Sequence, residues 1–330
     1  MAFLLELHRL ALAPGSIVLQ PHPIRIGTRG SPLALAQAHM VRDALMAAHA
    51  HIREQGIEIV VISTKGDRVL DRALAEIGGK GLFTEEIESG LLDGSIHMAV
   101  HSLKDMPTTL PPGLELVTML EREDPRDAFL SPKAARLVDL PQGAVVGTAS
   151  LRRQAQVRLM RPDLQTVTFR GNVQTRLKKL EEGQVDATLL ALAGLKRLNM
   201  AHVAQEILPT EQMLPAVAQG IVTVEARADD AAVRSLLAPL DHEPSHVCAL
   251  AERALLARLD GSCRTPIAAL ATVEDGRVHL RARLLSPDGR QCFEISRDGP
   301  AADAARLGDD AGQELRRRAG DDFFARLKGH

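Results

Sequence analysis

IRIGTRGSPLALAQAHMVRDALMAAHA, residues Ile24–Ala50, is a strand running into a helix whose start is marked twice. IRIGT is a short apolar run of strand character, Ser31 is an N-cap residue, and Pro32 takes the first helical position, where its missing N–H removes no hydrogen bond. The Ala- and Leu-rich remainder favours helix. The alternation continues outward, with a strand expected at Ile57–Ser63, a helix at about Thr84–Asp93 and a strand at Ile96–Val100. After the Pro- and charge-rich stretch EREDPRDAFLSP, which reads as a break between units, it restarts. Strands are expected at Val145–Gly147, Thr166–Phe169 and Asp186–Ala191, with helices at Ser150–Met160 and Asn172–Glu182. Such alternation gives parallel or mixed sheets covered by helices. The strand expected at Ile221–Ala226 is too isolated to begin a unit and reads as crossing back to the first sheet. Two crossings between two α/β lobes make a hinged cleft. From about Glu243 a long helix, a GSCRTP turn, adjacent strands (IAALATV, VHLRARLLS, RQCFEIS) and a last helix describe a small α+β domain. The expected organisation is an extension over 1–22 outside the fold, lobe 1 over 23–120 and 221–240, lobe 2 over 121–220, and the α+β domain over 241–330.

The 330 residues are 45% apolar and 25% charged, enough for several cores and too apolar for disorder throughout. Aromatic residues are 2% of the chain, with no Trp or Tyr, so stacking platforms for single-stranded nucleic acid have almost nothing to be built from. A net charge of −2 gives no chain-wide basic footprint for DNA or a membrane surface. No apolar run approaches the ~18 residues of a membrane span. The N-terminus breaks its apolar run at Glu6 and lacks a basic leading segment, a poor signal peptide. Cys248, Cys263 and Cys292 are widely spaced and in no ligand pattern, so neither a disulfide framework nor a metal site is expected, and a reducing cytoplasm is. The expected partner is a small molecule. Locally the balance tips: Gly147–Arg197 holds ten Lys and Arg against four acids, a setting for a small anion.

Four polar stretches fall at expected strand ends: Thr28-Arg29-Gly30-Ser31, His101-Ser102-Leu103-Lys104-Asp105, Thr148-Ala149-Ser150-Leu151-Arg152-Arg153 and Arg170-Gly171-Asn172. Three meet or closely precede a helix start, where unpaired N–H groups favour anions, and arginine forks add bidentate receptors for carboxylate or phosphate. Any one alone reads equally well as a cap beside a solvated arginine; four in two matching lobes exceed what capping requires. GGKGLF, with Lys80, could cover an anion or be a plain turn; it lacks Walker spacing. Asp105 beside Lys104 is wasted as an anion receptor. It makes sense where a cation or an N–H donor must be stabilised, or as half of a structural ion pair. Cys248 fits an apolar helix face and Cys292 a strand, whereas Cys263, between Ser262 and Arg264 in a turn, is a candidate thiolate nucleophile or attachment point.

The motifs TRGSPLALAQA, STKGD, GGKGLFTEEIE, AVHSLKDMPT, EREDPRDAF, VGTASLRRQAQ, FRGNVQTRLKKL, LALAGLKRL, LPAVAQG and LDGSCRTPIA, in this order from about Ile24 to about Phe324, resemble the porphobilinogen deaminase (hydroxymethylbilane synthase) family. The resemblance implies two hinged α/β lobes like those of periplasmic binding proteins plus the small α+β domain, and a monomer. It implies a dipyrromethane cofactor joined by a thioether to Cys263, in a turn reading GSC where relatives read GGC. Lys80, Ser102, Lys104, Thr148, Ser150, Arg152 and Arg153 would bind that cofactor, and Arg29, Ser31, Arg170 and Arg176 the substrate. Glu76, where some relatives carry Lys, is left out of the site. The reaction implied is stepwise condensation of four porphobilinogen molecules with loss of ammonia, followed by hydrolytic release of hydroxymethylbilane. Asp105 would stabilise the positive charge that develops on pyrrole nitrogen and assist proton transfer. The rival is a non-catalytic small-anion-binding protein with the same hinged lobes, which would have no use for Asp105 or a turn cysteine.

Overall fold

The computed structural model describes residues 23–68, 84–259 and 265–328. The first lobe opens with β1 (Ile24–Thr28), α1 (Pro32–Ala48), α2 (Ala50–Gln55), β2 (Ile57–Val61), α3 (Lys65–Arg68), α4 (Glu85–Leu92), β3 (Met98–Ser102) and β4 (Leu114–Met119). The chain crosses into the second with β5 (Asp127–Leu130), β6 (Val145–Gly147), α5 (Leu151–Met160), β7 (Gln165–Val167), α6 (Val173–Glu181), β8 (Ala187–Ala191), α7 (Leu192–Arg197) and β9 (Glu206–Ile207). It returns with β10 (Val222–Arg227) and α8 (Ala231–Leu237). A third unit follows, of α9 (Glu243–Arg258), β11 (Ile267–Glu274), β12 (Arg277–Leu285), β13 (Cys292–Pro300), α10 (Ala304–Ala319) and α11 (Asp321–Lys328). The extension read over 1–22 lies outside the described residues.

The two lobes repeat one topology. Their sheets run β2-β1-β3-β10-β4 and β7-β6-β8-β5-β9. In each the fourth strand is antiparallel to its neighbours and is the first strand formed after the chain arrives from the other lobe. Both sheets therefore point the carboxyl ends of their parallel strands at the cleft, where open α/β sheets bind ligands. Ser31 caps α1 through the Ala34 N–H at 3.3 Å, with Pro32 at the first position. Gln37, Ala38, Val41 and Leu45 then turn inward onto the first sheet. The crossings lie side by side: Leu120 N donates to Val222 O and Glu123 N to Gly220 O. Gly220 adopts φ +95°, and a Cβ there would lie 2.2 Å from Glu123 O, so this contact requires glycine.

The third unit is tied to both lobes. Arg122, in the first crossing, reaches the fully buried Glu252 of α9 at 2.6 Å and Gln219 O of the second crossing at 2.9 Å. Arg158 of α5 donates to Pro287 O, and Arg283 of β12 to Glu211 O. α9 and α10 pack closely enough that a Cβ on Gly308 would lie 2.0 Å from Ala251 O.

The stretch EREDPRDAFLSP is more than a break between units. Its Asp127–Leu130 forms β5, buried at every position, and is the antiparallel strand that completes the second sheet. A four-residue strand beginning with a charge offers neither length nor alternation to the eye. β4 was likewise unforeseen, and β3 lies two residues later than expected because Ile96, though buried, comes before the bend at His97 that leads into it.

Candidate active site

At the end of β3 the chain tightens into a single 3-10 turn, Leu103–Asp105. Leu103 and Met106 are almost fully buried, and Leu103 N donates to Ile221 O. Burying both flanks leaves Lys104 and Asp105 facing outward into the cleft. At the neighbouring strand end, Arg29 and Ser31 line the same pocket as His101, Ser102 and Asp105. Gln37, one turn into α1, fixes the spacing by donating to Ser102 Oγ at 2.8 Å. His101 Nε2 lies 3.0 Å from the buried Glu225 Oε2 and closes the pocket wall.

In the second lobe Thr148 and Ser150 build the start of α5. Ser150 N donates to Thr148 Oγ1, and Ser150 Oγ accepts from Arg153 N. Arg152 and Arg153 then stand in the first helical turn, where the dipole disfavours cations, and both are buried. Asp127 of β5 is what allows it. Its carboxylate lies 2.7 Å from Arg152 Nη1 and 2.7 Å from Arg153 Nη2. Burial alone would push this carboxyl up, but the two guanidinium groups outweigh it and hold it far below the usual range. Arg152 and Arg153 also donate to Leu214 O and Leu189 O.

This network reaches the first lobe. Gln219, buried in the return crossing, donates to Asp127 Oδ1 at 2.9 Å and accepts from Lys104 Nζ at 3.5 Å. Lys104 is exposed to solvent in the open cleft, with groups of both lobes near it. Burial, with Arg153 and Arg152 nearby, pulls its ammonium down to about 8 against the opposing pull of Asp105 and Asp127. Arg176 of α6, half-buried, is lowered to about 10 by burial and by Arg153, with Asp105 opposing. So the charge of Asp105 in one lobe acts on Arg176 of the other, and that of Arg153 on both Lys104 and Arg176.

The structure thus brings Arg29, Ser31, Ser102, Lys104, Asp105, Arg152, Arg153 and Arg176 to one cleft. Thr148 and Ser150 serve it by shaping the start of α5. Arg170 is half-buried beside α6, its carbonyl accepting from Lys179 Nζ. Lys80 and Cys263 lie outside the described residues. Sequence reasoning missed Asp127, Gln219 and Gln37. The signal for Asp127 was an acid directly before an apolar run in a chain whose next acidic partner for paired arginines was unknown. Among the described residues no group of three His, Cys, Asp or Glu side chains is placed to hold a metal ion, and no helix is long and apolar enough to cross a membrane.

Residues 24–235 match the family model for the porphobilinogen deaminase dipyromethane cofactor binding domain, and residues 246–317 that for the porphobilinogen deaminase C-terminal domain. The chain belongs to the porphobilinogen deaminase family. It is 60% identical over 303 residues to the porphobilinogen deaminase of Paracoccus denitrificans (strain Pd 1222), covering 92% of this chain and 96% of that protein. Among solved structures, the methionine binding protein MetQ is similar with a TM-score of 0.42 at 13% identity, over 67% of this chain and 90% of its own. A periplasmic substrate-binding protein of an ABC transporter from Coxiella burnetii gives a TM-score of 0.41 at 14% identity, over 70% and 96%. The match to the family runs through both lobes and the third unit, so the cleft described above lies within a dipyrromethane-binding domain.

Proposed function

We propose that this chain condenses four molecules of porphobilinogen to hydroxymethylbilane, releasing ammonia at each addition, on a dipyrromethane held through Cys263. The observation that carries the reading is the network from Lys104, beside Asp105, through Gln219 and Asp127 to Arg152 and Arg153 of the other lobe, in a chain of this family. The donor set suits the group. Among the described residues, Lys104, Arg152, Arg153 and Arg176 stand against Asp105 and Asp127, a surplus of positive charge that acetate and propionate arms would neutralise. The buried Nε of Arg152 has no hydrogen-bond partner among the described residues.

Lys80, Ser102, Lys104, Thr148, Ser150, Arg152 and Arg153 would hold the cofactor, and Arg29, Ser31, Arg170 and Arg176 the carboxylates of the incoming substrate. When bound, dipyrromethane supplies a pyrrole with a free α-carbon as the carbon nucleophile. Loss of ammonia from the substrate places positive charge on its pyrrole nitrogen. Asp105 accepts the N–H there and opposes that charge with a carboxylate already fixed by its buried flanks. The same oxygen would take up the α-carbon proton that the attacking pyrrole has to lose to regain its aromaticity. A cytoplasmic location is part of this reading, since a reducing compartment would keep the cysteines as thiols and Cys263 available for a thioether. A monomer is part of the same reading.

The test is turnover of porphobilinogen, with ammonia and hydroxymethylbilane counted across a range of pH. Four ammonia per tetrapyrrole are expected; binding without ammonia release would instead identify an anion-binding protein. Lys104 is charged below about 8 and neutral above. Loading of the chain from preformed tetrapyrrole should therefore weaken as pH passes through about 8, and Lys104→Met should flatten that loss. Wild-type loading unchanged well above that pH would remove Lys104 from the cofactor's surroundings.

A further inference from the structure

Arg253 of α9 is half-buried and has none of the partners that usually justify such a residue. Burial lowers its pKa with no carboxylate opposing it. Its guanidinium donates instead to two consecutive main-chain carbonyls, Met106 O at 3.3 Å and Pro107 O at 2.7 Å. These are the two residues that follow Asp105. A planar fork suits such a pair of acceptors, and it holds a turn that has no regular secondary structure after it.

The helix that carries Arg253 is itself fixed in register. The adjacent Glu252 is fully buried and accepts from Ala218 N, Ala271 N and Arg122. Leu103 and Met106 belong to the same apolar cluster as Ala249, Ala251 and Leu255 of α9. In sequence, the end of α9 leads directly to the segment with Cys263. One helix thus grips the turn carrying Asp105 and belongs to the same unit of the chain as Cys263.

We propose that Arg253 is a positioning residue, which sets Asp105 relative to the cofactor-bearing unit by clamping the carbonyls of Met106 and Pro107. The inference rests on the reading of Asp105 given above. A displacement of ~1 Å of a catalytic group can cost up to about 100-fold in rate. Arg253 therefore acts on kcat, while the arginines that bind carboxylates act on KM.

The experiment is a double-mutant cycle on full-length protein loaded from preformed hydroxymethylbilane, with loading confirmed by intact mass. Arg253→Met alone is expected to lower kcat about 10- to 100-fold while KM stays within about twofold. Arg253→Lys should recover part of the loss, because an ammonium serves one carbonyl but not both at once. In an Asp105→Asn background, Arg253→Met should cost less than about threefold more, since a carboxylate already removed cannot be misplaced. If the two losses multiply while Asp105→Asn alone is severe, Arg253 is merely structural and the proposal falls with Asp105 intact. If Asp105→Asn alone is harmless, the reading of Asp105 fails and the clamp fails with it. Should Arg253→Met not fold, Arg253→Lys carries the cycle, and an unchanged hydrogen-exchange rate over residues 103–110 in that variant would overturn the clamp.

Discussion

Asp105→Asn is expected to fold, to accept the cofactor from preformed tetrapyrrole, and to turn porphobilinogen over about 10²–10³-fold more slowly than the parent chain. The substitution keeps the shape and one acceptor oxygen. It removes the negative charge that acts on Arg176 of the other lobe and on the adjacent Lys104. The transition state holds more positive charge on pyrrole nitrogen than the bound ground state, so kcat should fall further than affinity. Folding should be spared because the turn is anchored by Leu103 and Met106, whose side chains are buried, while the carboxylate faces the cleft. Asp105→Glu should keep some activity, with the charge retained and its position shifted. Steady-state and single-turnover rates on the loaded protein measure both. A rate for Asp105→Asn close to wild type would reduce Asp105 to an ion-pair partner of its neighbours.

Asp127→Asn is expected to fail differently, through the fold. Asp127 is fully buried and is the counter-charge for two buried arginines at the wrong end of a helix dipole. Removing one partner of such a network leaves uncompensated buried charge, at a cost of about 3–5 kcal/mol, a large share of the ~5–15 kcal/mol that hold a domain folded. The urea midpoint should drop sharply, and activity with it, because Arg152, Arg153 and, through Gln219, Lys104 all lose their anchor. Acid sensitivity gives a second readout. The folded carboxyl of Asp127 is depressed, so its stabilisation is full above the unfolded value near ~3.9 and is lost as pH falls below that toward the folded value. Wild type should thus lose stability steeply on acidification below about pH 4, and Asp127→Asn should lose less over the same range. Equal urea midpoints for the two proteins would show that the arginines find another partner.

Local signals carried the lobes but not their joints. Ser31 and Pro32 announce α1, and the repeated strand ends announce a ligand cleft, because capping and dipole effects act within one turn. β10 was legible as a return crossing because it stood alone between a loop and a helix. β5 was hidden, since its only strand signal is complete burial, a property of the assembled sheet. The same holds for the site. The cations could be read in the sequence, but the carboxylate that holds Arg152 and Arg153 lies 26 residues from Arg153 along the chain and meets it only when β5 joins the sheet. Gln219, visible in LPAVAQG, gains its role from lying between Asp127 of one lobe and Lys104 of the other. Arg253 looks in sequence like any solvated helix arginine. Its partners are main-chain carbonyls, which no side-chain pattern reveals.

The most direct measurement is the intact mass of the protein purified from cells able to make porphobilinogen. The mass should exceed that of the 330-residue sequence by one dipyrromethane unit. Cys263→Ser should remove the excess, whereas Cys248→Ser, in the buried face of α9, and Cys292→Ser, in β13, should leave it in place. An unmodified wild-type mass, or an excess that survives Cys263→Ser, would contradict the assignment of Cys263 as the point where the cofactor is held.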